Sequence, residues 1–363
     1  MRAATATLDL AALRHNLGVA RRRGAGAGVV AVVKANGYGH GADRLLPALA
    51  DADMLGVACI EEALALREAG ATQPILLLEG VFEATELPLC ARHGFAVAVH
   101  EPGQLRMLEA ARLERPLAVW LKVDSGMNRL GFRPEQALAV LDRLRDCPAV
   151  APDLRLMTHF ASADEPTDPA TRAQLARFAD LAGSLGLQRS LCNSAGVLAW
   201  PEAHAEWIRP GVMLYGVSPL AGRTGADEGL VPVMTLGTKL IAVKEVPAGE
   251  AVGYAGTWTA KVASRIGIAA IGYGDGYPRH AGSGTPVLVD GRPATLAGRV
   301  SMDMLAIDLA DHPEATVGTP VTLWGRGLPV ETVAAHAGTI AYELLCGVTG
   351  RVHVASTGAL PDR

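Results

Sequence analysis

Residues 29 to 41 read VVAVVKANGYGHG. Val29 to Val33 are apolar and mostly β-branched, the composition of a strand buried on both faces. Lys34 follows at once. An unpaired ammonium at the end of such a strand is costly. A Schiff base with a carbonyl cofactor removes that cost, and desolvation lowers a lysine pKa so that the amine can react. The glycines let the backbone approach a ligand closely, and Tyr38 offers a hydroxyl. On this stretch alone, a lysine that snorkels to solvent explains the pattern equally well.

Further polar residues follow other strand-like runs: Lys122 and Asp124 with Arg129, then His159, Asn193-Ser194 and Arg209. Each has a bland reading when taken singly. Lys122 fits a surface pair with Asp124 or Asp142, Arg129 an ordinary loop arginine, and His159 a satisfied core histidine. Asn193-Ser194 fits a helix N-cap, whose free N–H groups can also meet a phosphate. Arg209-Pro210-Gly211 fits a turn. Lysine itself is scarce: of 33 lysines and arginines only Lys34, Lys122, Lys239, Lys244 and Lys261 are lysine. An amine kept where arginine is the default can serve chemistry that needs deprotonation. Chance remains an adequate account of the last three.

The elements that must position these groups alternate regularly. Thr5 to Leu10 alternates like a strand, and Asp9 can cap a helix from Leu10 to Gly18. Strands are expected at Val29–Val33, Met54–Ala58, Ile75–Leu78, Phe95–Val99, Ala118–Val123, Leu154–Thr158, Ser190–Cys192 and Glu206–Ile208. Helices are expected between most of them, among them Glu61–Ala69, Glu101–Ala111, Pro134–Leu144 and Pro169–Leu185. This spacing predicts a (β/α)8 barrel, with a doubly wound sheet as runner-up. No G-x-G-x-x-G follows an early strand. In a barrel the polar groups above would all stand at the C-terminal rim.

Residues 218 to 230, SPLAGRTGADEGL, read as a loose linker. Beyond it the helical period stops. Strands are expected at Met234–Val246, Arg265–Ile271, Pro286–Val289, Ala294–Leu296, Met304–Asp308 and Pro320–Leu323, with a helix at Val330–Ala337. The expected organisation is therefore α/β: a TIM-like barrel over 1–230 and a mainly β domain over 231–363, with strand 5–10 free to pack on the latter. Tyr254, Tyr273, Tyr277 and Tyr342 are its polar aromatic points, and GYGDGY at 272–277 must turn sharply.

Composition narrows the class. The net charge is −4 with no Lys/Arg stripe, which argues against nucleic acid. The five cysteines lack metal-ligand spacing and suit a reducing cytoplasm. No metal site is expected. MRAATATLDL has no hydrophobic signal core, and no apolar run is long enough to span a bilayer.

Taken together, eight stretches resemble the alanine racemases, pyridoxal-phosphate enzymes of fold type III. They are VVKANGYGHG (32–41), LKVDSGMNRLGF (121–132), THFASAD (158–164), NSAG (193–196), RPGVMLYG (209–216), VGYAGT (252–257), IGYGDGYPR (271–279) and GRVSMD (298–303). The first is shared with related barrels; the full set is specific.

The resemblance implies interconversion of L- and D-alanine by two bases on pyridoxal phosphate, feeding D-alanine to peptidoglycan synthesis. Lys34 would hold the cofactor and take the α-proton of D-alanine. Tyr254, from the partner subunit of a head-to-tail homodimer, would take that of L-alanine. Two bases on opposite faces are needed because one group alone would retain configuration. A phenol, with an ordinary pKa near 10, becomes a base only beside cationic groups. Arg209 would donate to the pyridine nitrogen and, unable to give up its proton, leave that nitrogen unprotonated. His159 would support Arg209. Tyr38, Asn193, Ser194, Gly211, Val212 and Tyr342 would complete the cofactor site, most of them at the phosphate. Arg129 and the Met302 backbone would bind the substrate carboxylate. Lys122, carbamylated in many members, would hold Arg129. Tyr273, Asp164, Arg279, Arg299 and Ile340 would line the entrance. Ser301 stands where many relatives carry cysteine.

Three rivals remain. A broad-specificity racemase would need a roomier pocket than Tyr254 and Tyr342 leave, although apolar pockets discriminate weakly. A non-catalytic pyridoxal-phosphate-binding barrel would lack the β domain. A decarboxylase of the same fold type would be expected to carry an acid in place of Arg209.

Overall fold

The structure, a computed structural model, describes residues 3–183 and 185–358. Eight parallel strands close into a barrel: Gly28–Val32, Met54–Val57, Ile75–Leu77, Phe95–Val99, Val119–Lys122, Arg155–Met157, Gln188–Ser190 and Trp207–Ile208. The first and last close the ring through Gly28 with Trp207 and Val29 with Ile208. Four of these strands are buried along their whole length and Gly28–Val32 is buried beyond its first residue, which explains their continuous apolar runs. One layer of the barrel interior is Val30, Met54, Leu76, Ala96, Ala98, Trp120 and Met157, a packed plug that leaves only the rims for chemistry.

The helices between the strands include Ile60–Glu68, Pro102–Ala110, Pro134–Arg145 and Ala170–Ala182. Ser184, inside the helix expected to reach Leu185, lies outside the described residues. The first helix runs on through Gly18 to Arg23, and Asp9 caps it by accepting the Ala12 N–H at 3.0 Å.

A second sheet contains eight strands, in the order Ser264–Ala269, Leu305–Asp308, Arg292–Leu296, Pro286–Val289, Pro320–Trp324, Met234–Val246, Thr5–Asp9, His353–Thr357. Met234–Val246 pairs with Ser264–Ala269 as well, so six of these strands form a ring. Thr5–Asp9 pairs antiparallel with Met234–Val246 and parallel with His353–Thr357. The chain therefore begins in the second sheet and only then enters the barrel.

Three expectations are corrected. The strand expected at Ser190–Cys192 is Gln188–Ser190; beyond it the Cys192 carbonyl accepts the Arg209 backbone N–H, and the Leu191 carbonyl accepts from the Arg209 side chain. The segment 218–230 is not loose. Its Ser218 and Gly225 N–H groups donate to Glu331, Ala221 N–H donates to the Asp164 carbonyl, and it contains a 3-10 turn at Gly225–Glu228. The helix Ala341–Cys346 and the strand His353–Thr357 were not expected at all. Both are short, and short elements carry little period to read.

Candidate active site

Strand Gly28–Val32 ends two residues before Lys34. Ala35, Asn36, Gly37 and Tyr38 then take φ of 52°, 52°, 63° and 51°, a left-handed turn in which three residues carry a Cβ. Gly39, at φ +80°, must be glycine, since a Cβ there would lie 2.1 Å from the Leu345 carbonyl oxygen. The turn brings the Tyr38 ring into a stack on Tyr215 at 4.7 Å and within 6.1 Å of Tyr342. Tyr215 in turn donates to the Val32 carbonyl at 3.1 Å and lies 4.6 Å from the His40 ring.

Opposite Tyr38, the last barrel strand runs into Arg209-Pro210-Gly211. A Cβ on Gly211 would lie 2.4 Å from the Tyr38 hydroxyl, so the two backbones meet only because residue 211 has none. Ser194 Oγ accepts N–H bonds from Gly211 at 2.9 Å and Met213 at 3.3 Å, leaving its own proton to donate. Val212 opens a 3-10 turn, so its N–H has no intrahelical partner. Burial pushes the Tyr38 phenol up, which keeps it a hydrogen-bond donor. Tyr38, Ser194 and Val212 are thus three neutral donors beside Gly211, a cradle whose chemistry suits phosphate. Asn193 does otherwise: its side chain caps the helix Ser194–Ala199 by accepting the Gly196 N–H at 2.9 Å.

Arg209 is 3% exposed. Its Nη1 donates to Ser190 Oγ at 2.5 Å, and Nη2 to the Thr158 carbonyl at 2.6 Å and the Leu191 carbonyl at 3.3 Å. Nη2 also meets His159 Nδ1 at 3.4 Å. Among the described residues no hydrogen bond engages Nε. Burial lowers the guanidinium to about 10, so it stays charged at neutral pH. Burial first, then Arg209, Lys122, Arg129 and Lys34, hold His159 well below the usual histidine range. The imidazole is therefore neutral and can accept from the arginine.

Lys122 ends its strand buried, and no ion pair joins it to Asp124 or Asp142 among the described residues. Burial, then Arg209, Arg129 and Lys34, bring its amine down to about 8, with Glu79 acting the other way. Asp124 instead accepts the Gly126 and Asn128 N–H groups and shapes the loop that carries Arg129. Arg209, Arg129 and Lys34 thus act on Lys122 against Glu79, a local excess of positive charge that suits an anionic ligand. No cluster of three or more metal-ligating side chains exists among the described residues.

The β domain holds a second group. Tyr273 and Gly274 N–H groups donate to the Ser301 and Met302 carbonyls, and Gly253 lies beside Arg299. Tyr254 is 68% exposed and Met302 52%, and Tyr273, Arg279 and Arg299 are exposed too. Among the described residues Met302 N–H makes no backbone hydrogen bond. No hydrogen bond or ring contact among the described residues joins this group to Lys34. Asp164, Ile340 and Tyr342 instead line one cleft together, with the 218–224 segment as its wall. Sequence reasoning passed over Tyr215, His40 and Glu62. The first two lie inside quoted motifs, but Glu62 gave no signal.

A parallel barrel with its polar groups gathered at the C-terminal rim defines a barrel enzyme as a class. The comparisons make this specific. Residues 8–219 match the model of the alanine racemase N-terminal domain, and 233–356 that of the C-terminal domain. The chain belongs to the alanine racemase family. It is 54% identical over 347 residues to the alanine racemase of Nitrosococcus oceani, covering 96% of this chain and 97% of the other. The biosynthetic alanine racemase of Pseudomonas aeruginosa superposes with a TM-score of 0.95 at 52% identity, covering 98% of this chain and all of that one. An alanine racemase from Bartonella henselae with covalently bound pyridoxal phosphate superposes with a TM-score of 0.88 at 27% identity, covering 98% and 100%.

Proposed function

We propose that this chain is a cytoplasmic, pyridoxal-phosphate-dependent alanine racemase that interconverts L- and D-alanine and supplies D-alanine to peptidoglycan. One observation carries the reading. Lys34 stands at the same rim as the glycine-lined donor cradle and the buried Arg209, the three fixed points an aldehyde-bearing pyridine phosphate needs. Pyridoxal phosphate, when bound, acidifies the α-proton of the amino acid attached to it.

The chain's own residues do the rest. Tyr38, Ser194, Val212 and the backbone at Gly211 hold the phosphate, with Tyr342 packed over Tyr38. Arg209, held by Ser190, Thr158 and the Leu191 carbonyl, would be the donor to the pyridine nitrogen. As a cation that keeps its proton, it would leave that nitrogen unprotonated, which would limit charge delocalisation and suppress transamination. Arg129 and the Met302 N–H bind the substrate carboxylate. Lys34 Nζ takes the proton on one face and Tyr254 Oη on the other.

The exposure of Tyr254 and Met302 on their own chain supports a site completed by a second copy, head to tail. Tyr273, Arg279 and Arg299 would then join Asp164 and Ile340 at the entrance. The broader racemase is disfavoured by the two phenol rings, Tyr254 and Tyr342, that crowd the substrate side chain. The decarboxylase reading is disfavoured by Arg209.

The test is loss of optical rotation from L-alanine by the purified protein supplied with pyridoxal phosphate. Loss of rotation with total alanine conserved is the expected result; unchanged rotation would remove the assignment.

A further inference from the structure

The left-handed turn after Lys34 needs an explanation. Ala35, Asn36 and Tyr38 each place a Cβ in a conformation L-residues avoid, and they do so in succession. Such a turn persists only where neighbours over-determine it. Three side chains do so. Asn36 Oδ1 accepts the Ala42 N–H at 3.0 Å, and His40 Nδ1 meets the Gly37 and Tyr38 carbonyls at 3.0 and 2.9 Å. The third is Glu62, at the start of the helix Ile60–Glu68. Its Oε1 accepts the Ala35 N–H at 2.7 Å and its Oε2 the Ala58 N–H at 2.8 Å.

Asn36 and His40 fix the far side of the turn. Among the described residues Glu62 is the one side chain that bonds the Ala35 backbone, next to Lys34; the Ala35 carbonyl accepts the Gly39 N–H at 3.0 Å. Ala58 follows directly on strand Met54–Val57, so one carboxylate ties the ends of the first two barrel strands together at the lysine. Both oxygens are used by N–H groups, and charge-assisted bonds of this kind are short and directional.

We propose that Glu62 is the positioning residue for Lys34, holding the strained turn that sets where its amine points. The inference rests on Lys34 being the cofactor lysine and the base on one face. Among the described residues no hydrogen bond joins Glu62 to the β domain, so loosening it should disturb the Lys34 half of the reaction and leave the Tyr254 half as it was.

The test uses the full chain carrying Glu62→Gln, whose amide oxygen can take one N–H while its NH2 opposes the other. The first readout precedes any substrate. Borohydride fixes pyridoxal phosphate on Lys34, and peptide mass spectrometry follows the rate, which should fall about tenfold. The second readout is directional. kcat/KM should fall by about the same factor in both directions. The α-deuterium isotope effect should rise when measured from D-alanine and decline toward one from L-alanine. Ala35→Gly in the Glu62→Gln chain should restore most of the fixation rate, because glycine takes φ near +52° without penalty. Glu62→Asp, which keeps the charge but reaches only one N–H, should give the same pattern at smaller amplitude and serves if the first variant does not fold. Fixation and isotope effects like those of the unaltered chain would overturn the inference. So would a loss that leaves their ratio unchanged and is not rescued by Ala35→Gly. Failure of the unaltered chain to fix the cofactor on Lys34 would overturn the proposed function itself, and this inference with it.

Discussion

Arg209 Nη2 stands 3.4 Å from His159 Nδ1, and the histidine is kept neutral by burial and by the arginine itself. The pair is a cation with an acceptor behind it, not an ion pair. Three further oxygens, from Ser190, Thr158 and Leu191, hold the guanidinium in one plane.

Arg209→Glu reverses this arrangement. The new carboxylate would face the carbonyl oxygens of Thr158 and Leu191, and stability should drop by about 3–5 kcal/mol. The folded fraction should still bind cofactor, racemise about 100-fold more slowly and form more transamination product. Partitioning between racemised alanine and pyruvate, measured by chromatography, checks this; unchanged partitioning would remove Arg209 from the nitrogen.

Tyr254 and Lys34 should complement across subunits. Lys34→Ala and Tyr254→Phe chains are each expected to be nearly inactive. Mixed at equal amounts, they should regain roughly a quarter of normal activity, since half the dimers are mixed and each mixed dimer has one intact site. Mixtures that stay inactive after subunit exchange would exclude a shared site.

Gly211→Ala should weaken the phosphate cradle, because its Cβ would lie 2.4 Å from the Tyr38 hydroxyl. Cofactor affinity should fall about tenfold, which is 1.4 kcal/mol. Adding Tyr38→Phe removes the clashing oxygen, so the double variant should bind better than the sum of the single losses by about 1 kcal/mol. Strict additivity in a titration of cofactor fluorescence would separate the two residues.

Lys122, lowered to about 8, has enough free amine near neutral pH to take up carbon dioxide. The resulting carbamate would turn a cation beside Arg129 into an anion that holds it. A 13C carbamate resonance should appear with labelled bicarbonate and be absent from Lys122→Arg. Its absence from the unaltered chain would leave Lys122 as a plain amine.

His40 should make the fold acid-sensitive. Burial lowers its folded-state pKa to about 4, against an ordinary value of 6.5. Both states are neutral above 6.5, so nothing changes there. Between 6.5 and about 4 only the unfolded chain gains the proton, and stability should fall by about 3 kcal/mol across that window. Melting curves should show this slope, and His40→Asn, whose amide can donate in place of Nδ1, should flatten it at some cost at pH 7.

The reading from sequence did best where period and composition agree. Val29–Val33, Met234–Val246 and Val330–Ala337 fall within a residue of their places because a buried strand or an amphipathic helix repeats its signal several times. Gln188–Ser190 was misplaced because three residues repeat nothing. The 218–230 segment looked loose because its polar side chains are read as solvated, whereas its order comes from a distant carboxylate, Glu331.

By itself, the sequence determined which residues could do chemistry and in what order the strands that carry them occur. Lys34, His159, Arg209 and Tyr254 are marked by residue type and local motif, which are properties of neighbours along the chain. Tertiary structure alone decided which of them meet. It put Tyr38 against Gly211 and Glu62 under Ala35, and it left Tyr254 exposed on the other domain. The reason is physical: a contact between residues far apart in sequence depends on barrel closure and on a left-handed turn, and neither leaves a period in the chain that forms it.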